Sequence, residues 1–209
     1  MTDLIHRTLV LAAVGLLASR GVMAGGPRPE TSDTPSHISF GGMSADGMPD
    51  LSATVTYVMR DANSTLVANT TVVLDFSACT DIVLGPGTGV NCVTKTFTGT
   101  TDGFGRLSVT LSGHGNGTGP PRPVCDCVRV TCGGQPFPNI GVSTFDRDGV
   151  NGVGGSDLAL FTSDWMTQNN PAACHSDFSG DDLLGAADLA LLIRVFVLGQ
   201  SPLSSSCPP

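Results

Sequence analysis

The chain has 209 residues, a formal charge of −8 and only 13% charged residues, against 27 Gly and 14 Pro. The acidic balance argues against a nucleic-acid binder, whose footprint is a basic patch. Low charge with many turn formers argues against a helical cytosolic enzyme and for exported, turn-rich β structure.

Residues 1–24 read as a secretory signal peptide. His6 and Arg7 give a short basic start, Thr8 to Ser19 an apolar run, and Val22-Met23-Ala24 a small-residue cleavage site. The apolar run is about twelve residues, whereas a spanning helix needs about 20. The expectation is a secreted or cell-surface protein with no membrane span after cleavage. Residues 25–49, rich in Gly, Pro, Ser and Thr, read as a flexible N-terminal segment or the first edge of the next domain.

Residues 50–143 alternate strands and turns. Val55, Tyr57 and Met59 stand at period two, as do Val72, Leu74 and Phe76, and Leu107, Val109 and Leu111. Further strands are expected at Lys95 to Thr100, Cys127 to Cys132 and Ile140 to Phe145. Short strands at such spacing suggest a β-sandwich. The runs Val58-Met-Arg-Asp61-Ala-Asn-Ser-Thr-Leu-Val67 and Thr100-Thr-Asp102-Gly-Phe-Gly105 resemble strand and turn patterns of bacterial immunoglobulin-like domains of the invasin type. That resemblance implies a rod, spacer or adhesion domain. The insert Ser77 to Val93 is atypical for it.

Seven cysteines fit an exported chain, where disulfides are commoner than metal sites. Cys79 and Cys92 bracket a Gly-rich loop and are candidates for a staple; Cys174 and Cys207 bracket the last helical unit and are candidates for a clasp. Cys125, Cys127 and Cys132 cluster, and a zinc reading of the three with His114 stays open. An odd count leaves one thiol free or intermolecular.

Residues 144–199 contain one pattern written twice. Asp146, Asp148, Gly152 and Asp157 recur 31 residues on as Asp177, Ser179, Leu183 and Asp188. Repetition at a fixed offset marks one supersecondary unit used twice. Calcium takes six to eight oxygens, and a twelve-residue loop supplies them from side chains at positions 1, 3, 5 and 12 and a carbonyl at 7. The first loop would use Asp146, Asp148, Asp157 and the Gly152 carbonyl. The second would use Asp177, Ser179, Asp181, Asp188 and the Leu183 carbonyl. Val150 offers no side-chain oxygen where the second loop has Asp181, so the first site is expected to be the weaker. A cap on each helix would account for Asp157 and Asp188, because Asp is a favoured N-cap. It would not account for the other acids. Apolar helix faces repeat too, with Leu158, Phe161 and Trp165 followed by Leu189, Leu192 and Phe196.

This tandem resembles the type I dockerin module. The resemblance implies calcium-dependent folding and docking to a cohesin-type protein partner, through Gly155, Ser156, Thr162, Ser163, Ala186, Ala187, Ile193 and Arg194. Asn151 and Asp182 replace the usual glycine at loop position 6, where positive φ is needed; Asn and Asp tolerate it better than other residues.

The expected fold is mostly β: an immunoglobulin-like β-sandwich, then a small all-α dockerin-like pair of calcium loop–helix units, then a tail over residues 200–209. The expected function is a secreted, non-catalytic calcium-binding protein. No catalytic residue is assigned, since His114 reads as part of a flexible loop with no fixed partner and His175, beside the second acidic loop, as an exposed loop residue. A purely structural protein and an accessory of polysaccharide degradation are the alternatives. One Trp and one Tyr give little for a sugar platform.

Overall fold

The computed structural model describes residues 25–41, 54–116, 125–167, 174–197 and Cys207; the expected signal peptide and most of the expected tail lie outside them. Period-two burial builds the β part. Strands β1 (His37–Phe40), β2 (Thr54–Val58), β3 (Thr71–Asp75), β4 (Ile82–Leu84), β5 (Val90–Asn91) and β6 (Thr96–Thr100) come first. Then come β7 (Arg106–Thr110), β8 (Gly113–Gly115), β9 (Arg129–Cys132), β10 (Gln135–Pro136) and β11 (Gly141–Thr144). One five-stranded sheet has the order β10-β9-β3-β6-β5, and the other strands pair as the ribbons β1–β11, β2–β7 and β4–β8. Ile38, Phe40, Tyr57, Met59, Val72, Leu74 and Val142 are wholly buried in one core.

Burial raises the pKa of the Tyr57 phenol, and its hydroxyl has no hydrogen-bond partner. An unpaired buried hydroxyl costs free energy without return. Tyr57→Phe is therefore expected to leave the denaturation midpoint unchanged or raise it, by up to about 1 kcal/mol. A loss above that would reveal a partner for the hydroxyl.

Two helices follow, α1 (Gly155–Met166) and α2 (Ala186–Val197). Among the described residues, no helix is long and apolar enough to cross a membrane.

The expected fold class needs correction at both ends. The β part is not a plain two-sheet antiparallel sandwich, because β1 and β11 run parallel, His37 opposite Gly141 to Phe40 opposite Thr144. Residues 37–40 are thus the edge of the body. Nor is the C-terminal part a self-contained all-α pair. Each helix has 12 residues and buries only three of them, Asp157, Phe161 and Asp164 in α1 and Asp188, Leu192 and Val195 in α2. Their cluster is completed by Phe145, which directly follows β11, together with Val153 and Phe178. Ser39 of β1 donates to the Phe178 carbonyl at 2.7 Å. Two short helices cannot bury enough apolar surface alone, so their cluster draws on the loops and on the residue that follows β11.

One disulfide, Cys125–Cys174, crosses the same seam. Cys79 pairs with Cys127, Cys92 with Cys207 and Cys125 with Cys174, while Cys132 is free and buried. The expected Cys79–Cys92 and Cys174–Cys207 bridges do not form, and the zinc reading falls with Cys125 and Cys127 oxidised. Cys207 is anchored, its N–H donating to the Leu84 carbonyl at 2.8 Å. Spacing in sequence carries no connectivity; the strands that bring the thiols together decide it.

Candidate metal centre

Both acidic loops close on themselves in the same way. In the first, carboxylate oxygens of Asp146, Asp148 and Asp157 gather within 4.8 Å of one another; in the second, those of Asp177, Asp181 and Asp188 do. The position-12 carboxylates organise the turns. Asp157 Oδ1 accepts from the N–H of Arg147 at 2.6 Å and of Asp148 at 3.2 Å, and its Oδ2 from Gly154 at 2.7 Å. Asp188 repeats this, Oδ1 accepting from Ser179 and Oδ2 from Gly185, both at 2.8 Å. These two acids therefore cap their helices and also cross the loops. Asx turns at Asp148 and Asp181 bend the middle of each loop through the N–H of Val150 and Leu183. Asn151 and Asp182 sit at φ of 64° and 62°, so loop position 6 is left-handed in both copies.

The two first positions differ. Asp177 is satisfied by the N–H groups of Gly180 at 2.7 Å and Asp182 at 2.9 Å, with Ser179 Oγ at 3.3 Å. Asp146 is 5% exposed, and its Oδ1 is buried without a hydrogen-bond partner. Burial, and then the charge of Asp157, push its carboxyl up to about 6. Burial also raises Asp157 and Asp177 against the pull of the loop N–H groups. Buried carboxylates converging with only His114 close enough to offset one of them are unfavourable unless a cation or a proton joins them. The donors are all oxygen, which suits a hard divalent cation such as calcium, magnesium or manganese. Asp148 and Asp181 are less buried and leave each loop open to solvent on one side. Of the remaining expected ligands, Ser179 lies beside Asp177, and Val150 at position 5 points outward at 55% exposure.

Sequence reasoning missed what holds the loops from behind. Gly149 and Gly180, both at loop position 4, have φ of 70° and 72°. A Cβ on Gly149 would stand 2.6 Å from His114 Nδ1, and one on Gly180 would stand 2.4 Å from His37 Cβ. Strand β8 thus delivers His114 to the first loop and β1 delivers His37 to the second. Neither histidine lies in a free loop: His114 Nδ1 meets the Gly115 carbonyl at 2.6 Å, and His37 Nε2 meets Ser143 Oγ at 2.9 Å. His175 is buried against Asp81 rather than exposed. The glycines repeated 31 residues apart were the available signal; the histidines are visible only in three dimensions.

Gly180→Ala is expected to lower stability by about 2 kcal/mol, combining the left-handed backbone with the clash on His37. Gly155→Ala, facing open space at the first turn of α1, is the control and should be neutral. Equal denaturation midpoints for the two variants would show that the loop does not rest on β1.

The helix faces also need correction. Phe161, Leu192 and Val195 are the buried apolar residues, while Leu158 is 38% and Phe196 45% exposed. Trp165 packs edge-on to Phe161 at 5.5 Å. No family model matches the chain, and no curated protein or solved structure matches it.

Proposed function

We propose that this chain is a secreted, non-catalytic protein that binds two calcium ions through the acidic loops and docks a protein partner on the surface they order. The observation that carries the cation reading is the buried, unpartnered Oδ1 of Asp146, a carboxylate that gathers with those of Asp148 and Asp157. Asp146, Asp148, Asp157 and the Gly152 carbonyl would hold one ion. Asp177, Ser179, Asp181, Asp188 and the Leu183 carbonyl would hold the other. A bound cation neutralises converging carboxylates and fixes the turn that starts each helix. The chain's own residues set the helix starts and the spacing of the loops.

Three disulfides support an oxidising, exported setting. The docking reading is supported by exposure of Gly155, Ser156, Thr162, Ser163, Ala186, Ala187, Ile193 and Arg194. Beside Arg194 a cleft of about 180 Å³, with Phe145, Phe178 and Leu191 in its walls, would admit one partner side chain. The second reading is a purely structural protein whose cations only rigidify it. It is favoured by the Cys92–Cys207 and Cys125–Cys174 bridges, which bind the calcium region to the strands.

Calorimetric titration with calcium chloride on the full chain tests the first claim. Two sites, the first abolished by Asp148→Ala and the second by Asp181→Ala, are expected, with affinities in the extracellular range of about 10⁻⁴–10⁻³ M. No heat at millimolar calcium would overturn it. Capture of a partner that is released by chelator would separate docking from the structural reading.

A further inference from the structure

The two loops are joined by a reciprocal crossing. In the first loop, position 2 is Arg147, and its guanidinium donates to Ser176 Oγ at 2.6 Å. Ser176 is the residue before the first position of the second loop. In the second loop, position 2 is Phe178, whose ring stacks on Phe145 with centroids 4.5 Å apart. Phe145 is the residue before the first position of the first loop. The offset of 31 maps Arg147 on Phe178 and Phe145 on Ser176, so each loop reaches across to the root of the other.

A third member completes each crossing. Asp164 of α1 pairs with Arg147 and accepts from Ser176 Oγ at 2.6 Å. Its counterpart 31 residues on is Val195 of α2, which belongs to the apolar cluster with Phe145 and Phe178. One crossing is therefore a buried polar trio, Arg147, Ser176 and Asp164. The other is an apolar trio, Phe178, Phe145 and Val195. The polar one touches the first loop directly and the second through the residue next to its first acid. The Arg147 N–H holds Asp157, the last acid of the first loop, while its side chain holds Ser176 next to Asp177, the first acid of the second. Ser176 and Asp157 are fully buried, so both ends of this path are held in the interior.

We propose that the Arg147–Asp164–Ser176 trio couples the two cation loops, so that filling one raises the affinity of the other. This rests on the cation reading above. Ordering the first loop fixes Asp157, through it the Arg147 backbone, and through the guanidinium the root of the second loop. Filling the second loop acts on the first in the same way, since coupling between two binding equilibria is reciprocal. The unlike trios also fix which loop meets which, because a first loop crossing a second copy of itself would set Arg147 against Phe145.

The test is calcium calorimetry on the full chain and on variants of it. Asp181→Ala disables the second loop and Asp148→Ala the first, while both spare the buried acids. Each is expected to weaken the surviving site by about 5-fold or more, and by the same factor in both directions. Arg147→Met can misfold because it leaves Asp164 unpaired. The variant for coupling is therefore Arg147→Met with Asp164→Leu, in which both sites should still bind but the 5-fold effect of Asp181→Ala should disappear. Arg147→Lys should retain part of it. Surviving sites with unchanged affinity in Asp181→Ala and Asp148→Ala would overturn the coupling while leaving the cation reading intact. So would full coupling in the double variant. Absence of any calcium binding by the unmodified chain would instead overturn the cation reading itself.

Discussion

Removing divalent cations at pH 7 is expected to lower the thermal midpoint by on the order of 10 °C. A ligand that binds only the folded state stabilises it by RT ln(1 + [L]/Kd). With dissociation constants of about 10⁻⁴–10⁻³ M and 10 mM calcium, this is roughly 1.4–2.7 kcal/mol per site. Two sites and about 2–4 °C per kcal/mol for a chain of this size give the stated shift. The effect has a defined pH dependence. In the metal-free protein the Asp146 carboxyl is raised to about 6 from its ordinary 3.8. A raised folded-state value favours the protonated form. Its contribution is complete below about pH 4 and is lost as pH rises through about 6. Two pH units correspond to about 3 kcal/mol. Chelated protein should therefore grow more stable from pH 7 to about 4.5, as judged by this group, while calcium-loaded protein loses its advantage over the same range. Calorimetric scans with chelator and with 10 mM calcium at pH 7 and pH 4.5 would read both effects. Superimposable scans at pH 7 would count against any cation in the loops.

Breaking the Cys92–Cys207 bridge is expected to cost about 4 kcal/mol. The two cysteines are 115 residues apart, so the bridge closes a very long loop in the unfolded chain. Chain entropy alone gives about 4–5 kcal/mol for a loop of that size, less where other bridges already restrict the chain. Cys207 is 2% exposed and belongs to the main core. The double variant Cys92→Ser, Cys207→Ser in a denaturant titration checks this, with Cys132→Ala as a control that removes a buried thiol but no bridge. A loss below 1 kcal/mol for the double variant would show that residue 207 is held by packing and by the Leu84 carbonyl alone.

Alternation along residues 71–76 was legible in the sequence because one face of β3 is buried and the other is not, and Val72, Leu74 and Phe76 all lie inside. The acidic loops were legible because each is local, twelve residues whose spacing follows from the coordination they would supply. Long-range choices were not. Strands β4 and β8 fall in stretches that read as a Gly-rich insert and a free loop; Ile82 to Leu84 is too short to show a period, and the glycines of β8 suggest a turn. Gly113 and Gly115 are there because the Phe40 ring and the Arg147 backbone pass close by. That requirement belongs to the neighbours. The exact repeat of Leu158 and Leu189 suggested matching helix faces. The buried faces are instead set by where Phe145 and Phe178 stand, which favours Phe161, Leu192 and Val195. No local pattern singles out Arg147, which stands between two loop acids. Its partners Asp164 and Ser176 lie 17 and 29 residues away, beyond any local pattern.

The parallel ribbon of β1 and β11 has a consequence for how the molecule comes into being. His37 pairs with Gly141, about a hundred residues later, with most of the strands between them. Contacts of such separation form late and slow folding. During synthesis or export the chain emerges N-terminus first, so Ile38 and Phe40 have no partner strand until Thr144 has followed. Both are wholly buried in the finished protein. The second acidic loop, which rests Gly180 on His37, must wait for the same event. Assembly is thus a threading problem with its closure at the end: the first strand to appear is among the last to be covered, and a chain cut short before residue 141 would present an apolar strand edge to its neighbours and aggregate.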